Sequence, residues 1–200
     1  MNDAAPQRRS SEFALHAWVD ESMHVQAGIY LLAAVVCVAG DCDQHRDTLR
    51  SLLDAGQPKL HWRAESPKRR TKIIQTVSSF DMTSVVVIGT PMDKKKQERA
   101  RAVCMESLAI HLASLEVTQV YLEERETRLN ARDRKLIGSI RGKKLIPNSL
   151  RIDTAKPSVE PMLWLPDIVA GAVGQERIRG VSEYLDPLRP FVTELPVPVR

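Results

Sequence analysis

The sequence predicts a single-domain α/β protein, a mixed and mostly parallel sheet flanked by helices, and three observations carry that expectation. Short runs rich in β-branched and apolar residues alternate along the chain with stretches of helical spacing, the order that gives parallel strand pairs covered by helices. One run, "TSVVVIGTP", is almost uniformly apolar, as a strand buried on both faces must be. Finally, 200 residues with 43% hydrophobic content supply one compact core, and too few remain for a second.

Each element follows from local chemistry. Residues 1–12 read as a disordered N-terminus, and "FALHAWV" and "GIYLLAAVVCV" as two strands close enough to form a hairpin across "DESMHVQA". Strand interiors reject Asp and Glu, so Asp20 and Glu21 are expected where the first strand runs out and the chain turns through Ser22. "QHRDTLRSLLDAG" predicts a helix ending at Gly56, and "SPKRRTKIIQTVSSF" another with Ser66 as N-cap and Pro67 at its first position. "TSVVVIGTP" precedes a long helix from about Lys94 to Leu115, whose stripe runs through Val103, Cys104, Ser107, Leu108, His111, Leu112 and Leu115. His111 is therefore expected in the core. "EVTQVYLEER" is a strand whose apolar residues stop at Glu123; "NARDRKLIGSIRG" a basic helix; "SLRIDTA" the last strand; "PMLWLPDIVAGAVGQERI" the final helix. The main domain then spans residues 13–180, and residues 181–200, with four of the twelve prolines, form a proline-rich C-terminal arm.

Composition excludes several classes. No apolar run reaches the roughly 20 residues of a membrane span, and "MNDAAPQRRSSE" lacks the apolar segment of a signal peptide, so a cytoplasmic protein is expected. Cys37, Cys42 and Cys104 form an odd set without CxxC spacing, which argues against a disulfide framework or a zinc knuckle. The net charge of +4 is modest, but basic residues cluster in "PKRRTK", "KKKQERAR" and "ARDRKLIGSIRGKK". Such clusters suit a polyanion; the interspersed acids equally suit solvated helix faces.

In α/β sheets ligands bind beyond the C-terminal ends of parallel strands, and three acids fall there. Asp20 follows the first strand, Glu123 ends a later one, and Asp167 opens the last helix, where Pro166 is tolerated only in the first turn. Singly, each is an ordinary turn, loop or helix-dipole acid. Together they would repel unless a cation sat among them, and hard oxygen donors suit Mg²⁺ or Mn²⁺ at about 2.0 to 2.2 Å. Two such ions roughly 4 Å apart can activate water and stabilise the leaving oxygen in phosphodiester hydrolysis.

"AWVDES", "YLLAAVVC", "KLHWRAESPKRRTKII", "YLEERETRLNARDRKLI" and "EPMLWLPDIVAGAV", spread over about Phe13 to Gln175, resemble the bacterial and phage proteins grouped as domain of unknown function 3800. The resemblance implies a ribonuclease H-like fold in which acids on the first strand, the fourth strand and the last helix bind divalent metal. Carried over, these are Asp20, Glu123 and Asp167, with Glu21 accompanying Asp20, and His61 in "KLHWR" matches a recurrent histidine. The chain departs from the pattern at Met23, where a glycine is usual after "DES", and at "LWLPD", where leucine-glutamine is usual.

His61 is a candidate for phosphate contact or proton transfer, or a strand-edge histidine beside Trp62. Arg63, Arg70 and Arg125 are candidate phosphate clamps, because the guanidinium fork matches phosphate geometry. Glu160 joins the site only if residues 160–165 are not helical; Glu65 reads as an acid ahead of the Ser66 cap, and Asp133 as a charge on a solvated basic helix. Two function classes remain: a divalent-metal-dependent nuclease acting on DNA or RNA, and a catalytically inactive nucleic-acid- or partner-binding module of the same fold. The same acids would also serve a hydrolase of a small phosphate ester.

Overall fold

The computed structural model describes residues 13–199, so the expectation for residues 1–12 lies outside the described residues. Among the described residues are six strands, β1 (Leu15–His24), β2 (Ile29–Val38), β3 (Thr83–Thr90), β4 (Gln119–Glu123), β5 (Arg151–Ala155) and β6 (Val192–Pro198). Five α-helices accompany them: α1 (Cys42–Ser51), α2 (Pro67–Val77), α3 (Gln97–Ser114), α4 (Thr127–Gly142) and α5 (Trp164–Arg179). The strands form one sheet in the order β5-β4-β1-β2-β3-β6. β2 runs antiparallel to β1 and β3, whereas β4 pairs with β1, β5 with β4 and β6 with β3 in parallel. The fold is α/β, a mixed sheet with mostly parallel strands.

Strand alternation divides the core into two layers. Trp18, Leu31, Ala33, Val35, Val86 and Ile88 face α1, α2 and α5, while Ala17, Val19, Leu32, Ala34, Val85, Val87, Val120 and Leu122 face α3 and α4. Residues one apart on a strand lie on opposite faces, so Asp20 belongs with Trp18 and Glu21 with Val19.

Several local expectations hold. Ser66 Oγ accepts from Arg69 N at 3.4 Å with Pro67 following. β4 ends at Glu123, and Asp167 lies in the first turn of α5. Cys37, Cys42 and Cys104 are free and buried, and among the described residues no helix is long and apolar enough to cross a membrane.

Others need correction. β1 does not stop at Asp20: it pairs with β2 through His24, with Met23 opposite Tyr30, and the chain turns over 25–28, where Gly28 takes φ +65°. Met23 therefore stands within a strand and not in a turn. α1 ends at Ser51, five residues before Gly56. The buried stripe of α3 runs through Arg101, Cys104, Met105, Leu108 and Leu112, leaving His111 half-buried beside it. The proline-rich arm contributes β6, which pairs with β3 from Ser84–Val192 to Thr90–Pro198. Edge strands accept proline because one side needs no N–H donors.

Candidate active site

β1 and β4 run parallel, and their recorded register ends at Val19–Leu122. One step further along, Asp20 and Glu123 stand level on the same face. Beyond that point β1 continues to His24 with β2 on one side only, so its last residues overhang the end of β4. α5 crosses this face with Asp167 in its first turn. The loop at 59–63 closes the third side, and the enclosed groove has a volume of about 640 Å³.

Three of the predicted acids meet here: Asp20, Glu123 and Asp167 all line the groove. Asp167 Oδ2 accepts from Trp62 N at 2.9 Å and lies 3.0 Å from His61 Nδ1. Both contacts fall on one oxygen, which leaves Oδ1 for another partner. Gly171 permits this docking, because a Cβ there would stand 2.1 Å from the Trp62 ring. Lys59 Nζ stands 3.8 Å from Glu123. Asp20 instead has a backbone partner, accepting from Glu21 N at 2.7 Å.

The electrostatics follow. Burial, then the charges of Glu123 and Asp167, push the Asp20 carboxyl well above the usual carboxylate range. Burial also raises Glu123, against the pull of Lys59. Asp167, as a hydrogen-bond partner, raises the His61 imidazole. Among the described residues no group of three or more His, Cys, Asp or Glu side chains stands in a ready metal-holding arrangement. The donor chemistry nonetheless suits a hard divalent cation: the set is all oxygen, and its innermost member, Asp20, is raised by burial and then by two neighbouring acids.

Two predicted site residues lie elsewhere. Glu21, expected beside Asp20, is carried to the opposite face by the strand alternation, where it bonds Tyr30 Oη and Arg101 Nη1, the latter at 2.5 Å. Arg125, expected as a phosphate clamp, turns to that same face. It pairs with Glu98 at 2.6 Å and stands 3.6 Å from both Glu21 and Asp133, and the Asn130 amide holds its backbone N and O. Asp133 is correspondingly no solvated charge: it is 3% exposed and forms a two-pronged pair with Arg101 at 2.8 and 2.9 Å. Glu160 stays outside the acid cluster, held by Arg46 at 2.8 and 2.9 Å. Glu65 is buried against Arg69.

Of the remaining candidates, His61 is half exposed at the groove. Arg63 lines it, and Arg70 lies 5.1 Å from the centre of the Trp62 ring while donating to the carbonyls of Trp62 and Arg63. Arg70 thus holds the turn that carries His61 and Arg63. Lys59, Ser22, His24 and Arg179 also line the groove and were not anticipated. Reading β1 through to His24 reveals Ser22 and His24, since both share the parity of Asp20.

Two acids thus stand at the ends of adjacent parallel strands of this α/β domain and a third on a crossing helix. The solved ribonuclease HII of Archaeoglobus fulgidus, in its complex with PCNA, matches with a TM-score of 0.52 over 82% of this chain and 73% of that one. The identity is 18%, so the likeness is one of fold. No protein-family model and no curated protein matches the chain.

Proposed function

We propose that the protein is a divalent-metal-dependent nuclease that hydrolyses phosphodiester bonds of DNA or RNA. The observation that carries the reading is the convergence of Asp20, Glu123 and Asp167 on one groove, with Asp20 held among acids and given no cation of its own. The ribonuclease H-like fold and the solved ribonuclease HII neighbour support it.

Asp20, Glu123 and Asp167 would hold Mg²⁺ or Mn²⁺, which when bound supplies activation of water and stabilisation of the leaving oxygen. The chain's own residues do the rest. Asp167, anchored by Trp62 N, orients His61 through Nδ1, leaving Nε2 free to carry a proton to the leaving oxygen as the phosphorus–oxygen bond breaks. Arg63 at the rim meets the phosphate backbone. The fork of Arg70 is spent on two carbonyls, so it acts by positioning.

The second reading, a nucleic-acid-binding module without turnover, is favoured by one feature: burial raises both Asp20 and Glu123, which favours the neutral acids that need no cation. Calorimetric titration of Mn²⁺ into wild type and Asp20→Asn, followed by a cleavage screen on DNA and RNA, separates the two. Binding and cleavage that are both lost in the variant are expected. Nucleic-acid binding with no cleavage by wild type would leave the inactive module standing.

A further inference from the structure

We infer that the groove holds a second phosphate subsite beyond the acids, built by Ser22, His24, Arg63 and Arg179, which seats a non-scissile phosphate of a nucleic-acid strand. The assignment deepens the nuclease reading and rests on it for the scissile phosphate at the acids, while the basic lining of the groove stands separately.

The subsite lies on the overhang of β1. Asp20, Ser22 and His24 share one face, and all three line the groove. Four residues of strand separate Asp20 from His24 by about 13 Å, and twelve residues of helix separate Asp167 from Arg179 by about 18 Å. The acids and the far basic end are therefore too distant for a single phosphate to touch both. A substrate filling the groove must carry phosphates in series.

What gathers at the far end is cationic. His24, Arg63 and Arg179 line the same groove, and burial, then the charges of both arginines, lower the imidazole pKa. Its Nε2 lies 3.2 Å from Ser22 Oγ. Gly174 gives the ring its seat against α5, because a Cβ there would stand 2.7 Å from Nε2. Among the described residues no carboxylate lies within ion-pairing distance of Arg63 or Arg179, although the neighbouring charges of α5 are paired. Arg177 binds Glu194 at 2.6 Å, and Glu176 binds Arg189 at 2.5 Å. An arginine in the last turn of a helix complements the helix dipole. That role accounts for Arg179 alone, not for Arg63 and a half-buried imidazole converging with it.

Two arginines, an imidazole and a hydroxyl lining one groove make a phosphate site in which the guanidinium forks supply the charge and Ser22 supplies a further donor. The substrate class this selects is an oligonucleotide, in preference to inorganic phosphate or a mononucleotide, which would leave one end of the groove empty.

The test is fluorescence anisotropy of a short labelled oligonucleotide against the full chain in EDTA, at several salt concentrations. Wild type is compared with Arg63→Gln/Arg179→Gln and with Lys143→Gln, a distant surface control. We expect about tenfold or greater weakening in the double variant, a salt slope reduced by about two, unchanged binding in the control, and competition by an unlabelled trinucleotide far stronger than by inorganic phosphate. Unchanged affinity in the double variant, or equal competition by inorganic phosphate, would overturn the subsite. Cleavage distinguishes the two readings. Arginine-dependent binding with no metal-dependent cleavage sinks the nuclease and keeps the subsite. Asp20-dependent cleavage whose KM ignores both arginines does the reverse.

Discussion

On one face of β1 Asp20 stands with Glu123 and Asp167, and its hydrogen-bond donor is a backbone N–H. On the other face, one residue later, Glu21 joins Asp133 and Glu98, and there two arginines and a tyrosine meet the acids. The two clusters use the same type of side chain at the same end of the same sheet, and they differ in their cations: guanidinium groups on the second face, Lys59 at 3.8 Å from Glu123 and the His61 imidazole on the first. An acid met by a guanidinium is finished as a structural part, whereas an acid raised by other acids keeps an unfilled demand for positive charge. Local charge balance thus separates the scaffold from the site where residue type does not.

The sharpest way to break this comparison is to remove the demand. Asp20→Asn should lower metal-dependent cleavage by at least about ten-thousandfold, near 5.5 kcal/mol in barrier, while the metal-free protein melts no lower than wild type. A variant that cleaves normally, in a calibrated nuclease assay, would dissolve the distinction. On the opposite face the expected loss is in stability. Asp133→Asn removes the two-pronged partner of Arg101 and leaves it only the Glu21 pair, and should cost about 1.5 to 3 kcal/mol in urea unfolding; a cost below about 0.5 kcal/mol would show that the pair is not structural.

Next in size, Gly171→Ala pushes against the Trp62 ring and should cost about 1 to 3 kcal/mol. It also displaces His61, so cleavage should fall further than thermal stability alone accounts for. The pH dependence comes after. The folded-state pKa of Asp20 is raised, so over the window from the ordinary carboxylate value up to that raised pKa the folded form binds more protons than the unfolded one. Stability of the metal-free protein should therefore fall as pH rises through that window, by at most about 1.4 kcal/mol per pH unit for this group. Asp20→Asn should flatten the slope; an unaltered slope assigns it to other groups. The smallest effect is expected at Lys59→Gln. Its 3.8 Å pair with Glu123 is part-exposed, and its loss should change unfolding free energy by under about 1 kcal/mol.

Much of the frame was legible in the sequence because hydrophobic spacing and caps act locally. The apolar run of β3, the Ser66–Pro67 start of α2, the stop of β4 at Glu123 and the first-turn place of Asp167 each follow from a few neighbouring residues. The end of β1 was not legible, since a strand overhanging its neighbour tolerates Asp, Ser and His on its half-open face, and so looks like a turn. Nor was the paired cluster. Arg101 and Asp133 sit on different helices, and each alone resembles a solvated charge on a basic stretch. Burial became possible only because the fold brought them to 2.8 Å. The pairing of Arg125 is hidden for the same reason, since Glu21 and Glu98 are remote from it in sequence.

The closing of the sheet by β6 bears on how the chain reaches this state. β3 carries a nearly continuous apolar stretch, and its outer edge is covered by a strand from the far end of the described chain. Until that strand returns, the folding protein presents an unpaired apolar ribbon on which a second unfinished molecule can pair. Refolding yield should therefore depend on protein concentration, and deletion of residues 192–199 should turn a monomer-by-monomer process into one that competes with intermolecular strand addition.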